Sequence, residues 1–190
     1  MKIQTERLVV GGVALLVGLA IGWMVRGVAT YNTHAGTIAD YDDWRVTCPS
    51  AQVAQGVCEL SSDILDAGTQ APLARVSITK DTRDGGKPVI GFVLPYGVAL
   101  QANMGLTIGK DPIKVLNFRT CNSVGCVVLA DFDDKMSSAL KENQEARIAF
   151  VMADGRQAAA PVSFKGYNTA MSSYKALDAR RNSWFWRLFS

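Results

Sequence analysis

The chain has 190 residues, 48% of them hydrophobic and 19% charged, which is enough for one globular domain with a buried core and short appendages. Its formal net charge of +3 is uneven, because residues 36–154 carry 11 basic and 15 acidic side chains, whereas residues 155–190 carry six basic and one acidic. An acidic body with basic ends argues against nucleic-acid binding and fits a membrane-attached protein.

A run of 18 uncharged residues lies between Arg7 and Arg26. As an α-helix it would be about 27 Å long, close to the thickness of the bilayer hydrocarbon core. The alternative is a cleaved signal peptide, whose apolar region usually has only about 7 to 15 residues before a small-residue cleavage site. Here the run is longer, Trp23 lies near its end and Arg26 follows it directly. The pattern therefore predicts an uncleaved single transmembrane helix over residues 8–26.

The charges that flank this helix predict its orientation. Lys2 and Arg7 lie on its N-terminal side, whereas the chain beyond Arg26 has no basic residue until Arg45 and contains three aspartates in between. Because basic flanks stay in the cytoplasm, residues 1–7 are expected there and the body in the periplasm. The predicted location is the bacterial inner membrane, with the body in an oxidising compartment.

Small residues recur along one face of the predicted helix. They are Gly11, Ala14, Gly18 and Gly22, at offsets of three, four and four. Such a face lets a second helix approach closely, so it predicts a helix-packing contact with another copy or with a membrane protein. The alternative is that glycine and alanine are simply frequent in membrane spans.

Residues 27–43 have no sustained apolar period and are predicted to form a periplasmic tether with a reach of about 20 to 25 Å. The one histidine of the sequence, His34, lies in this segment without an obvious partner. It is interpreted as an exposed linker residue.

The body, residues 44–178, is predicted to be mainly β. Short segments rich in β-branched and aromatic residues recur every 8 to 12 residues or so, and turn residues at 84–86 (DGG) and 154–155 (DG) mark two hairpins. This pattern is typical of a β-sandwich or a partly closed barrel, and we expect a sandwich-like domain. The expected strands lie in WRVTC, CELSSDIL, LARVSITK, PVIGFVLP, GVALQ, MGLTIG, KVLNFRTC, CVVLADF and the hairpin ARIAFVMADGRQAAAPVSF.

One or two short helices are expected within this β-rich domain. The stretch DDKMSSALKEN begins with acidic residues and places Met136 and Leu140 four residues apart, as on one helical face. The segment that begins at Gly166 shows the same apolar period. Its apolar positions are Tyr167, Met171, Tyr174 and Leu177.

The segment 179–190 is predicted to be a basic and aromatic tail. It is interpreted either as a contact with the membrane interface, where amphipathic rings and arginines are favoured, or as packing against the domain or a partner protein. The residues expected to make this membrane or partner contact are Trp184, Phe185, Trp186, Arg187 and Phe189.

No catalytic, cofactor or metal site is predicted. With one histidine, neither a Ser-His-Asp nor a Cys-His centre can be assembled, and a histidine-ligated zinc site is excluded. The chain has no glycine-rich phosphate loop. The acidic cluster Asp131, Asp133 and Asp134 lacks the glycine and distal glutamate of a calcium loop, and is interpreted as charge at the start of a helix.

Four cysteines remain for interpretation. The spacing of Cys121 and Cys126 approaches that of a zinc knuckle, but the spacing of Cys48 and Cys58 does not. No C-x-x-C redox motif is present. Four cysteines allow three connectivities, of which the sequential one joins strand ends across short turns. We therefore expect the disulfides Cys48–Cys58 and Cys121–Cys126.

Four motifs resemble the invasion-associated locus B proteins of alphaproteobacteria. They are DWRVTC with a second cysteine at Cys58, VLPYGVALQANMGLTIGKD, FRTCNSVGC and VSFKGYNTAM, and they span residues 43–178 in the family's order. The resemblance implies an exported, β-rich, sandwich-like domain with paired cysteines and without established enzymatic activity. The predicted anchor and the segment RRNSWFWRLFS depart from the family's usual secreted form.

These observations predict a non-catalytic periplasmic protein, anchored in the inner membrane, that acts through protein–protein contact. It would be an accessory or scaffold subunit of a membrane complex, such as a respiratory or photosynthetic one, with the bilayer and a membrane protein or a second copy as partners. One alternative is an exported virulence factor that engages host cells. Another is a module that binds a small ligand in the interior of the sandwich.

Overall fold

The computed structural model describes residues 11–22, 36–50, 53, 56–66, 68–143 and 145–183. These residues form two antiparallel β-sheets and three α-helices. The first sheet has seven strands in the order β1-β2-β3-β4-β5-β9-β8 and the second has four in the order β11-β10-β6-β7. The strands of the first sheet are β1 Thr37–Tyr41, β2 Trp44–Cys48, β3 Glu59–Leu65, β4 Pro72–Asp81, β5 Lys87–Leu94, β8 Phe118–Asn122 and β9 Gly125–Asp131.

The remaining elements complete the second sheet and cover the sandwich. The strands are β6 Met104–Ile108, β7 Lys114–Leu116, β10 Ala146–Val151 and β11 Gln157–Val162, the helices are α1 (residues 11–22), α2 Asp134–Glu142 and α3 Tyr167–Asn182, and a 3₁₀ turn covers Leu100–Ala102. The prediction of a mainly β, sandwich-like domain is confirmed.

The core lies between the two sheets. Along β10, Ala146, Ile148 and Phe150 are buried and alternate with exposed residues, which is the period-two pattern of a half-buried strand. In the first sheet, the register Ser62–Val76–Phe92–Val128 places one buried residue from each of four strands in a single row. Apolar residues from both sheets and from α2 surround the same internal void, so the sheets pack face to face.

Both predicted hairpins are confirmed. Gly85 and Gly86 have φ values of +65° and +77° between β4 and β5, and Gly155 has a φ of +85° between β10 and β11. Glycine adopts these left-handed conformations without the steric cost that a Cβ atom imposes. The register of the long β4–β5 pair, from Asp81–Lys87 to Arg75–Val93, follows from the first of these turns.

The two predicted helices are also confirmed. The carboxylate of Asp133 accepts a hydrogen bond from Met136 N at 2.7 Å and caps α2, which buries Met136 and Leu140. Helix α3 starts after Gly166 and buries Tyr167, Met171 and Tyr174. It packs against β1, β2 and β3.

Three of the predicted boundaries are wrong. Residues 37–41 of the predicted 27–43 tether form β1, because the chain reverses at Asp42 and Asp43 and pairs with β2. The stretch GVALQ forms an isolated bridge and a 3₁₀ turn rather than a strand. The stretch KVLNFRTC is divided at Asn117 into β7 and β8, which belong to different sheets.

The two predicted terminal segments are described in part. The tail predicted from residue 179 begins inside α3, which continues to Asn182, and residues 184–190 lie outside the described residues. Of the predicted 8–26 span, residues 11–22 are helical and exposed, and the rest lies outside the described residues, as do residues 1–7 and 27–35. No helix in the described part of the chain has both the length and the apolar character needed to cross a membrane.

Candidate functional site

The Cys48–Cys58 disulfide closes the loop between β2 and β3. The Cα atoms of the two cysteines are 4.2 Å apart, and both residues are buried. Because Cys48 is the last residue of β2 and Cys58 directly precedes β3, the bond joins adjacent strand ends, as expected from the sequence. The loop between them is therefore held at one end of the sandwich.

The guanidinium group of Arg181, near the C-terminal end of α3, binds this loop. Its Nη1 donates to the carbonyl oxygens of Pro49 at 2.6 Å and Ser50 at 2.8 Å, and its Nη2 donates to that of Val53 at 2.6 Å. Hydrogen bonds from a charged donor are stronger than those between neutral groups. Gly56 leaves room for the guanidinium, since a Cβ atom there would lie 2.9 Å from Nη2 and would overlap the Pro49 ring.

The chain also enters the domain at this loop. A side chain at Gly36 would meet the Cys48 carbonyl oxygen at 2.9 Å and Pro49 Cα at 3.6 Å, and Thr37 pairs with Cys48 in the sheet. Pro49 therefore contacts both the first described residues of the domain and the end of its last helix. We call this region the clamp end, defined by Gly36, Pro49, Ser50, Val53, Gly56 and Arg181.

The second disulfide lies at the opposite end of the same sheet. Each of the four strand pairings between β2 and β9 is antiparallel, so β2 and β9 run in the same direction. The C-terminal end of β2 and the N-terminal end of β9 therefore lie at opposite ends of the sheet. Cys121 and Cys126 are directly paired there, with Cα atoms 4.0 Å apart. The eight residues of β5 between the two ends span about 25 Å.

Apolar and aromatic side chains are exposed beside the second disulfide. Val124 is 74% exposed at the tip of the β8–β9 hairpin, and Tyr96 is 59% exposed and donates its hydroxyl hydrogen to the Asn122 carbonyl oxygen. Gly125 has a φ of +146°, and a Cβ atom there would lie 2.5 Å from the Leu94 carbonyl oxygen, so this turn position requires glycine. We call this region the hairpin end, defined by Tyr96, Asn122, Val124 and the Cys121–Cys126 disulfide.

An open cleft of about 720 Å³ is lined by residues of β1–β4 and β11 and of the turns beside them. Two of its charged residues, Arg45 and Asp40, form an ion pair with each other. Arg45 Nε lies 2.5 Å from Asp40 Oδ1, a contact that raises the pKa of Arg45, and Arg75 donates to Ser61 Oγ at 2.8 Å. Among the described residues, no three acidic, cysteine or histidine side chains are arranged to hold a metal ion.

The sequence of this domain matches a known protein family. A family model, described as "Invasion associated locus B (IalB) protein", matches residues 44–175. The chain belongs to the invasion associated locus B family. No curated protein matches it.

A solved structure has the same fold as this invasion associated locus B chain. It is the crystal structure of invasion associated protein B from Bartonella henselae, with 18% sequence identity and a TM-score of 0.62. The similarity covers 75% of this chain and 99% of the solved chain. Gly36 and Arg181 of the clamp end lie outside the residues that the family model matches.

Among the described residues of the invasion associated locus B domain, the void between the two sheets is small. The void surrounded by core residues of both sheets has a volume of about 10 Å³, whereas a single water molecule needs a cavity of roughly that size or larger. The void therefore has no room for a small organic ligand. Its lining residues are Trp44, Val76, Ile90, Phe92, Leu106, Leu140, Ala146, Val162 and Phe164.

The structure confirms both predicted disulfides, Cys48–Cys58 and Cys121–Cys126, and places them at opposite ends of the first sheet. The four predicted helix-packing residues of α1 are exposed, and no atom lies within 4 Å of a Cβ position at the three glycines among them, Gly11, Gly18 and Gly22. The five predicted tail contacts lie outside the described residues. The sequence did not predict the clamp end. Arg181 lies in a segment interpreted as a basic tail, and its hydrogen-bond acceptors are backbone carbonyl oxygens, which every residue type has.

Proposed function

We propose that the chain is a non-catalytic periplasmic domain, anchored in the bacterial inner membrane, that acts as an accessory or scaffold subunit of a membrane complex. The observation that carries this proposal is α1. Residues 11–22 are glycine, alanine or larger apolar residues throughout, and all of them are exposed. A helix that is apolar on every side belongs in the interior of a protein or in a membrane.

The disulfides and the flanking charges support the periplasmic placement. Disulfides persist in the periplasm and are rare in the bacterial cytoplasm. The basic residues Lys2 and Arg7 precede the apolar run, and the disulfide-bonded domain follows it. The positive-inside rule then places the N-terminus in the cytoplasm.

The small interior void and the exposed apolar residues support a function in protein–protein contact rather than in catalysis. The interior void of about 10 Å³ leaves no space for a substrate. The described residues that line the open cleft supply carboxylates, guanidinium groups and hydroxyl groups, and none of these residues is a histidine. Tyr96 and Val124 are both exposed at the hairpin end, and apolar residues that are exposed side by side can form a contact surface.

Membrane attachment is tested by fractionation of the full-length chain. We expect it to remain in the membrane pellet after an alkaline carbonate wash, and the domain to be digested by protease added to spheroplasts. Release by the wash, or protection from external protease, would overturn the proposal.

Purification in mild detergent tests the contact function. The double variant Gly18→Ile and Gly22→Ile should lose co-purifying membrane proteins or self-association, because the larger side chains keep a second helix away. Leu16→Ile, on the other side of α1, conserves volume and is the matched control. Equal recovery of partners with both variants would argue against α1 as the contact.

A second candidate function is that of an exported virulence factor engaging host cells. It is favoured by the family match and by the shared fold with the Bartonella henselae protein, whose name refers to invasion. N-terminal sequencing of the mature protein distinguishes the two, since cleavage near Ala29 or Ala35 would release the domain, whereas an intact N-terminus supports the anchored form.

A further inference from the structure

We infer that the outward face of the second sheet is a docking surface for a short apolar protein segment that carries an aspartate or a glutamate. This inference rests on the proposed contact function and deepens it, because it names the surface of the folded domain and the chemistry of the segment that binds there. We call this surface the outward apolar face. It is defined by Ile113, Val115, Arg147, Ala149, Ala159 and Pro161.

The strand register places these residues on one face. Ala149 of β10 pairs with Ala159 of β11 and with Gly105 of β6, and Gly105 pairs with Val115 of β7. The alternate residues of β10 are buried in the core, so the paired residues point the other way. A Cβ atom at Gly105 would lie 3.1 Å from Ile113 Cγ2 and 3.9 Å from Ala149 Cβ. Ile113 and Ala149 therefore lie on the same face, with Gly105 between them.

This face is both apolar and exposed. Ile113 and Val115 are 67% and 64% exposed, and Ala149, Ala159 and Pro161 are exposed as well. The outward side of an antiparallel sheet that meets only water is commonly polar, whereas adjacent exposed apolar residues mark contact sites. Tryptophan and tyrosine are enriched where proteins meet the lipid headgroups, and neither is among the six residues that define this face. A protein partner is therefore favoured over the bilayer.

The charge on this face specifies what the partner must carry. Arg147 is exposed in the row next to Ala149, between Pro161 and Thr107. Its guanidinium group forms no ion pair or hydrogen bond with another described residue, including Glu145 two positions earlier in the chain. A charge that loses its water in an apolar contact is costly unless it is paired. The segment that covers this face must therefore bring a carboxylate, which arginine binds through two parallel hydrogen bonds.

A second copy of the chain does not meet this requirement. In a two-fold dimer the same face meets itself, and none of the six residues that define it has a carboxylate to place opposite Arg147. The face is also small, because two rows across four strands cover about 270 Å². Each partner in a standard protein interface buries about 800 Å². The face therefore suits a short segment better than a second folded domain.

Site-specific photo-crosslinking of the full-length chain, in cells of the bacterium that encodes it, tests the inference. A photoreactive phenylalanine replaces either Val115 or Ile38, which is 66% exposed on β1 of the first sheet and serves as the matched control. We expect about fivefold more protein adduct at position 115 than at position 38, measured by immunoblotting and mass spectrometry. Similar yields at both positions would overturn the inference, as would adducts at position 115 that contain only lipid or only a second copy of the chain.

Charge reversal tests the chemistry of the segment. In the chain that is photoreactive at position 115, Arg147→Glu should lower the adduct yield about fivefold, because like charges then meet, and Arg147→Lys should lower it less than about twofold. Arg83→Glu makes the same charge change at an exposed turn between β4 and β5, and should leave the yield unchanged. An unchanged yield with Arg147→Glu would overturn the inference.

The crosslinked peptide completes the test. It should contain an aspartate or glutamate, and replacing that residue by arginine in the partner should restore the adduct with the Arg147→Glu chain. A crosslinked segment without a carboxylate, or no restoration, would overturn the inference. Carbonate-resistant membrane association of the same chains reports separately on the proposed anchor, so a failed anchor and a wrong docking surface give different results.

Discussion

Gly166 approaches the backbone of Tyr41 so closely that a Cβ atom at this position would overlap the Tyr41 carbonyl oxygen. The glycine also has a φ of +81° and directly precedes α3. This contact fixes where the helix begins against the β1–β2 turn, and it does so at the end of the sandwich opposite the clamp end. The sequence positions are 125 residues apart, so the contact joins the first strand of the domain to its last helix.

Gly166→Ala should destabilise the domain more than Gly155→Ala. Both glycines have similar positive φ values, but no atom lies within 4 Å of a Cβ position at Gly155. The control should lose about 1 to 2 kcal/mol from backbone strain alone, and the Gly166 variant should lose roughly 1 to 3 kcal/mol more from displaced packing. Urea denaturation followed by fluorescence measures both. Equal losses would show that the β1–β2 turn moves freely to accommodate the methyl group.

Tyr167→Phe should leave the free energy of unfolding unchanged or raise it. The ring packs edge-on against Trp44 at 5.1 Å, but its hydroxyl is buried without a hydrogen-bond partner in the described structure, and burial raises its pKa. The variant keeps the ring contact and removes an uncompensated polar group.

Tyr41→Phe is the matched comparison for this change. The Tyr41 hydroxyl donates to Ser173 Oγ at 2.7 Å, and removing this bond should cost about 1 kcal/mol. Thermal or urea denaturation of the two variants gives the comparison. A loss at Tyr167 equal to that at Tyr41 would indicate that the Tyr167 hydroxyl has a partner, such as an ordered water.

The two disulfides should be reduced in a fixed order. Cys121 is exposed, whereas Cys48 and Cys58 are 6% and 0% exposed, and a thiolate must reach a sulfur atom to attack it. Mild treatment with dithiothreitol under native conditions should therefore open Cys121–Cys126 first. Alkylation of the new thiols and peptide mass spectrometry identify them. Early labelling of Cys58 would mean that the clamp end opens more readily than its burial indicates.

Acidification should weaken two exposed turns. Backbone N–H of Thr69, the Thr69 side chain and backbone N–H of Gly68 hold the pKa of Asp66 below its ordinary value of 3.8, and Arg156 lowers the pKa of Asp154 in the same way. A carboxyl group with a lowered folded pKa stabilises the fold above the ordinary value, and this contribution is lost as the pH falls through the folded pKa.

NMR titration of the Thr69 amide between pH 5 and pH 2 checks this expectation at Asp66. The amide resonance should shift with a midpoint below 3.8. Asp66→Asn keeps an acceptor oxygen but does not titrate, so its Thr69 amide should remain unaffected by pH. A midpoint above 3.8 in the parent chain would contradict the direction of the shift.

Local signals in the sequence predicted much of the fold. The residues at 84–86 and 154–155 set their hairpins because glycine is needed at positive φ, and Asp133 marks the start of α2 because its side chain caps a free backbone N–H. Strand β1 was missed because its sequence, TIADY, has little apolar alternation and becomes a strand only by pairing with β2. The chain is divided at Asn117 because β7 and β8 pair in different sheets. That pairing depends on contacts with distant strands and not on the local sequence.

The candidate site was less accessible to prediction. The disulfide pairing follows from short spacings that join neighbouring strand ends, so it could be predicted from the cysteines alone. The hydrogen bond from Arg181 to Pro49 joins residues separated by 132 positions, and its acceptor is a backbone carbonyl that any residue would supply. The close approach of Gly36 and Gly56 to Pro49 is likewise a property of the folded backbone.

The adjacency of the first and last parts of the domain at Pro49 makes this chain suited to circular permutation. A short linker would join Ser183 to Gly36 without crossing the sandwich, and the polypeptide could be reopened between Gly85 and Gly86, where no atom lies within 4 Å of either Cβ position. Such a permuted domain would keep both disulfides and every strand pairing while lacking residues 1–35 and 184–190. Its free energy of unfolding would therefore report on the folded domain alone, without the two terminal segments.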